Sequence, residues 1–199
     1  MSCKVVGTLR CRCGDRTSSP QECINCVGML RKLFSDHSNF TLLYIQAVVF
    51  NTPFMVAYRK RLLENQTEIG KEIGRAFIGA IRGKALGSAF TQHIAAAEQM
   101  VLEMLGGQTT NMKTEFLQQG DELARLIASD FKKNEDDIIP VIRTHNTHVI
   151  RLTEMLIKSR VKDPKNPRDE TLFIQELDAY NNHMLSVADF LFMAGEQLL

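Results

Sequence analysis

The chain has 199 residues, a formal net charge of +1 at pH 7 and no tryptophan. Its composition, 44% hydrophobic and 24% charged, is typical of one globular domain with a buried core. Without an excess of lysine and arginine, the whole chain shows no electrostatic signal for nucleic-acid binding. We see no secretory leader, and no apolar run approaches the roughly 20 residues that a membrane-spanning helix needs.

All five cysteines lie in the first 26 residues, within a segment, residues 1–27, that shows no helical periodicity and that we predict to form turns. An odd number confined to one end does not fit a secreted disulfide framework, so we expect a cytoplasmic or other reducing compartment. Two close pairs are each able to supply half of a tetrahedral zinc site, which predicts a zinc knuckle of Cys11, Cys13, Cys23 and Cys26. Reduced free thiols or a redox pair are the alternatives.

Residues 28–199 show apolar residues every three to four positions, which predicts helices throughout. In chain order these are a helix from Met29 to a break at residues 51–53, one over about 54–73, one whose apolar stripe spans 86–104, one over about 113–129, one from near Asp137 to a loop at 163–169, and one over about 170–197. No stretch alternates with period two, so no sheet is expected. The predicted fold is all-α: an antiparallel four-helix-type bundle with an extra short helix.

Glycines at positions 70, 74, 79, 83 and 87 run from the end of the second predicted helix to the start of the third, several of them four residues apart. This spacing is typical either of a frayed connection or of two backbones that approach closely.

Three of the five histidines occupy the middle of an apolar helix face. At 100° per residue, His37, His93 and His145 each lie near the centre of the stripe on a different predicted helix. Gln66 lies on the stripe of the second helix with Asn65 beside it. On the last helix Asp178 and Asp189 are eleven residues apart and therefore lie on nearly the same side. The predicted polar core comprises His37, Asn65, Gln66, His93, His145, Asp178, His183 and Asp189.

Two interpretations of this polar core are open. The side chains are able to form a satisfied hydrogen-bond network that fixes the register of the helices. Alternatively, the three central histidines converge on a metal ion, with Asp178 or Asp189 as a ligand or as the partner of one. Because no local ligand pair such as Glu-x-x-His is present, we favour the network.

No enzyme signature is evident: we find no phosphate-binding loop, nucleophile elbow or dinucleotide fingerprint. We therefore expect a non-catalytic bundle that acts in protein association, with a partner protein or with itself, aided by a zinc-stabilised N-terminal segment. The alternative is a metal-binding bundle with a redox, storage or sensing role. A small-molecule sensor is a third possibility.

Segments from Leu30 to the C-terminus resemble a family of uncharacterised bacterial helical-bundle proteins. The matching segments are LRKLFSDH (30–37), LLENQTEIG (62–70), HIAAA (93–97), GDELA (120–124) and DAYNNHMLSVAD (178–189). In that family's pattern the counterparts of most of the predicted polar core recur, together with that of Asp121. The family pattern has a glutamate where this chain has Gln99, and it does not include residues 1–27. The resemblance implies a four-helix bundle with a polar core, but no reaction.

Overall fold

A computed structural model of the chain describes residues 20–107, 111–161 and 167–198. Within these ranges the secondary structure consists of six α-helices and one short π-helical segment, without a strand. The helices are α1 (Pro20–Val49), α2 (Met55–Ile73), α3 (Ala80–Leu105), α4 (Asn111–Phe131), α5 (Glu135–Val161) and α6 (Pro167–Glu196), and the π-helical segment is Gly74–Ile78. The predicted all-α fold is confirmed. None of the helices in these ranges has both the length and the hydrophobicity that crossing a bilayer requires.

Each helix packs against the next one in the chain, and α6 returns to pack against α1. The alternate helices α1, α3 and α5 also contact one another in all three pairings. These three helices therefore meet around the axis of the bundle, and side chains on their inner faces can share one interior. The fourth helix, predicted to be short, is a full element of 21 residues that packs between α3 and α5.

The first helix begins at Pro20, well before the predicted start at Met29, so the turns predicted for residues 20–27 are wrong. Proline suits the first position of a helix, because its missing N–H would have no intrahelical partner there. Cys26 and Leu30, one turn apart, are both buried in the core. The apolar stripe continues through Cys26, which packs as a small hydrophobic side chain.

The glycine-rich connection is a close approach of two helices and not a frayed segment. A Cβ atom added at Gly70 would lie 2.5 Å from the backbone oxygen of Gly83 and 2.6 Å from the Cα of Gly87. Gly79, with a φ of 84°, makes the turn into α3. At Gly70, Gly74 and Gly83 any side chain would have to force the two backbones apart, whereas Gly79 is constrained by its positive φ.

We predict that Gly83→Ala destabilises the protein, while Gly28→Ala does not. At Gly83 the added methyl group meets the backbone of Gly70 and Gly74, which cannot move aside as a flexible side chain could. We expect a loss of about 1–3 kcal/mol or more in the free energy of unfolding, measured by urea denaturation. Gly28 lies on an exposed part of α1 with nothing within 4 Å, so its replacement should raise stability by about 0.5–1 kcal/mol. Equal stability of the two variants would contradict the close approach.

Candidate functional site

Three histidines, one from each inner helix, meet inside the bundle. His37 comes from α1, His93 from α3 and His145 from α5, and all three are buried. The ring centre of His145 lies 5.5 Å from that of His37 and 5.8 Å from that of His93. The structure thus brings together the three imidazoles that the apolar stripes singled out. We call these three residues the histidine centre.

A cavity of about 30 Å³ adjoins the histidine centre. Its walls include the three imidazoles, Gln66, Met184 and apolar side chains such as Phe34 and Phe90. No carboxylate and no thiol is among the described residues that line it. A space of this size has room for about two water molecules or one metal ion.

Part of the polar core forms a connected hydrogen-bond network. The side-chain nitrogen of Gln66 lies 2.9 Å from His37 Nδ1, 2.9 Å from the Leu62 carbonyl oxygen and 3.1 Å from Asn65 Oδ1, and these three acceptors share its two N–H groups. The Asn65 amide in turn donates to the carbonyl of Leu33 on α1, at 3.0 Å. These bonds tie α2 to α1 and fix the Nδ1 edge of the His37 ring.

Other polar atoms beside the histidine centre have no hydrogen-bond partner among the described protein atoms. They are both ring nitrogens of His93, both amide atoms of Asn146 and the hydroxyls of Thr41 and Tyr180, all buried. Each buried polar group without a partner costs about 1–3 kcal/mol. Hydrogen bonds of standard geometry therefore cover the α1–α2 side of the interior, and none within the described ranges reaches His93, which has the Asn146 amide nearby.

The imidazoles of the histidine centre are neutral at physiological pH. Burial in an apolar interior lowers the pKa of His37 to about 3 and that of His93 to about 4, because removal from water disfavours the charged form. Repulsion from His93 adds to the shift at His37, whereas the nearby Asn146 amide partly offsets the shift at His93. For His145, burial and then the neighbouring histidines place the pKa well below its usual range. Each ring therefore keeps a lone pair on one nitrogen.

The remaining two histidines form a separate pair nearer the surface. His148 Nδ1 lies 2.6 Å from Glu176 Oε1, and His183 donates to the backbone oxygen of Val141 at 3.1 Å. The two rings are 5.6 Å apart. Tyr180 lies between this pair and the histidine centre, 5.6 Å from the His145 ring. His183, predicted in the polar core, thus belongs to an outer pair and does not line the cavity.

The two predicted carboxylates do not belong to the polar core, which corrects the sequence-based prediction. Asp178 is exposed on α6. Asp189 is partly exposed and accepts two hydrogen bonds from Arg31 on α1, at 2.6 and 2.7 Å. Asp189 thus faces α1 and Asp178 faces solvent. The prediction failed because an angle on a helical wheel does not say which neighbouring helix covers that side.

Other carboxylates also join helices at the periphery. Glu98, next to the Gln99 position where the resembled family has a glutamate, accepts from the Tyr44 hydroxyl at 2.7 Å and from Arg59 at 2.9 Å. These contacts link α3 to α1 and α2. Asp121, which the resemblance also singled out, accepts from Arg143 of α5 at 2.9 and 2.7 Å. Both carboxylates thus tie helices together and do not line the cavity.

The cysteine prediction is addressed only in part. Cys26 is buried in α1, and its thiol donates to Glu72 Oε1 at 4.0 Å. Cys11, Cys13 and the side chain of Cys23 lie outside the described residues. The zinc knuckle therefore stays a prediction. In the described ranges 20–107, 111–161 and 167–198, no group of three or more His, Cys, Asp or Glu side chains is arranged to hold a metal ion.

Sequence reasoning missed two buried polar residues next to the histidine centre, Asn146 and Tyr180. The sequence contains one indication of Asn146, the glycine at position 120 in the facing helix α4. A Cβ atom at Gly120 would collide with the Asn146 amide. A glycine inside a helix has a cost in stability, so its presence there indicates a close neighbour. Tyr180 is aromatic and carries no comparable signal.

Comparisons with protein-family models, with curated proteins and with solved structures found no match to this chain. The resemblance to bacterial helical-bundle proteins therefore stays a prediction, and so does protein association. The histidine centre has to be interpreted from its own chemistry.

We predict that the protein loses stability between pH 7 and pH 5 because of the histidine centre. In this range an unfolded chain binds protons at these histidines, whereas the native state does not, so stability falls as the pH falls. At pH 5 each of the three should cost about 2 kcal/mol relative to pH 7. Urea unfolding at the two pH values measures the loss, and His93→Phe should reduce it. Equal stability at both pH values would show that the imidazoles are not buried as neutral groups.

Proposed function

We propose that the protein is a non-catalytic metal-binding bundle in which the histidine centre holds one ion. The observation that carries the proposal is the convergence of three buried, neutral imidazoles from three helices on one small cavity. Neutral imidazole is a common metal ligand in proteins, and helical bundles build metal sites from side chains on facing helices.

The spacing of the rings supports this proposal. A metal ion lies about 2 Å from a ligating nitrogen, so imidazoles that share an ion have ring centres roughly 5 to 6 Å apart. The two ring separations within the histidine centre, 5.5 and 5.8 Å, are in this range. Neither nitrogen of His93 makes a hydrogen bond of standard geometry to a described residue, although the Asn146 amide lies nearby, so one nitrogen can be directed to an ion.

As they stand, no three His, Cys, Asp or Glu side chains of the described residues are placed to hold an ion, so ligation requires the rings to rearrange. In the present arrangement His37 Nδ1 accepts a hydrogen bond from Gln66, and His145 Nδ1 faces the sulfur of Met184. If the Gln66 amide turns by half a rotation, its oxygen replaces its nitrogen and accepts a hydrogen bond from His37 Nδ1, while the hydrogen bonds from its nitrogen to the Leu62 carbonyl and to Asn65 are lost. The lone pair of His37 then lies on Nε2, and the amide oxygen holds the ring as carbonyl partners of metal-bound histidines usually do.

The size of the cavity favours a metal ion over an organic small molecule as the ligand. Sites for organic ligands usually measure several hundred Å³, whereas this cavity measures about 30 Å³. An ion fits this space without displacing any helix. An ion that accepts lone pairs also gives the unpartnered His93 a partner, which removes part of the cost of burying it.

We expect the full-length protein, purified without a polyhistidine tag or chelator, to hold about one transition-metal ion per chain at the histidine centre. Elemental mass spectrometry measures the ion. His93→Phe should remove it, because that substitution deletes one ligand while keeping a ring stacked on Phe116. His183→Phe is the matched control: it removes an imidazole of the outer pair and should leave the ion bound.

A variant with Cys11→Ser and Cys13→Ser separates the centre from the predicted zinc knuckle. If the only metal is lost with the cysteines and not with His93, the histidine centre is not a metal site. Circular dichroism of each variant checks that it is folded. A folded wild-type protein that holds no ion at His93, as purified or after titration with each first-row metal, would overturn the proposal.

A further inference from the structure

The donor set of the histidine centre includes a methionine sulfur. Met184 of α6 is buried, lines the cavity and places Sδ 3.1 Å from His145 Nδ1. A thioether is a weak hydrogen-bond acceptor, so this contact contributes little as a hydrogen bond. It does place a soft, polarisable donor beside three imidazoles.

All the donors around the cavity are uncharged. The cavity has no carboxylate or thiol among its described lining residues. The nearby carboxylates are engaged elsewhere: Glu176 with His148, and Asp189 with Arg31. Because the energy of moving an ion from water into an apolar interior scales with the square of its charge, a dication costs roughly four times as much as a monocation.

We infer that the histidine centre selects Cu(I), bound by His37, His93, His145 and the Met184 sulfur. This inference rests on the proposed function and names the ion. Cu(I) carries a single charge, accepts three or four ligands and prefers soft donors such as thioethers together with imidazole. Hard dications prefer oxygen ligands. Among the side chains of the described residues that line the cavity, only the Gln66 amide carries an oxygen.

The test is an anaerobic titration of the full-length chain with Cu(I) in the presence of a competing chelator, and with Zn(II) in parallel. Cys3, Cys11, Cys13 and Cys23 are replaced by serine, so that N-terminal thiolates do not compete. Met184→Leu deletes the sulfur at nearly constant volume. Met100→Leu is the matched control, since Met100 is fully buried in α3 but does not line the cavity.

We expect one Cu(I) per chain that depends on His93, bound more tightly than Zn(II). Met184→Leu should weaken Cu(I) binding by about tenfold or more, with little effect on Zn(II), whereas Met100→Leu should change neither. Labelling the methionine methyl groups with ¹³C gives a second readout. Because Cu(I) is diamagnetic, the Met184 resonance, identified by its loss in Met184→Leu, should shift on binding and remain sharp.

Two results would overturn the inference but leave the proposed function intact: tighter His93-dependent binding of Zn(II) or another dication, or Cu(I) binding that Met184→Leu does not change. If no ion binds in a manner that depends on His93, the proposed function fails as well. The unshifted methyl resonance of Met184 in a protein that does bind Cu(I) would exclude the sulfur as a ligand.

Discussion

The burial of three imidazoles in one apolar interior is the constraint on which the rest of this structure depends. Removal from water disfavours protonation, so the rings are neutral and each keeps a lone pair. A lone pair inside a protein needs a hydrogen-bond donor or a metal ion. Within the described part of the chain, His37 receives a hydrogen bond from Gln66, whereas His93 has only the nearby Asn146 amide, without hydrogen-bond geometry. The chemistry proposed for the centre follows from this imbalance.

The fold creates the constraint by directing alternate helices inward. Because α1, α3 and α5 contact one another, a single histidine on the apolar stripe of each is enough to assemble the centre. The glycine contacts have a part in this arrangement. They bring α2 against α3, with Gly87 next to the backbone of Gln66, and Gln66 is the residue that reaches His37. The close packing of α2 against α3 therefore also positions the Gln66 side chain that contacts His37.

Most charged groups, in contrast to the neutral imidazoles, lie away from the interior. Carboxylates and guanidinium groups join neighbouring helices near the surface, as in the Asp189–Arg31 and Asp121–Arg143 pairs. Exposed pairs of this kind contribute little to stability. The buried carboxylate of Asp130 is paired with Arg82, and no carboxylate is among the described residues that line the cavity at the histidine centre. This separation decides the chemistry of the centre: its described donors are neutral nitrogen, sulfur and amide oxygen.

Much of this arrangement was determined by the sequence alone. A period of three to four residues predicts helices, and the same period places His37, His93 and His145 on apolar faces, because side-chain direction in a helix depends only on position along the chain. Only the tertiary structure decided which of these faces meet and at what height. For that reason the in-phase Asp178 and Asp189 proved to lie outside the polar core, and His183 separated from the other histidines. The partner of a side chain depends on which helix packs opposite, and the residue pattern of a single helix carries no information about that.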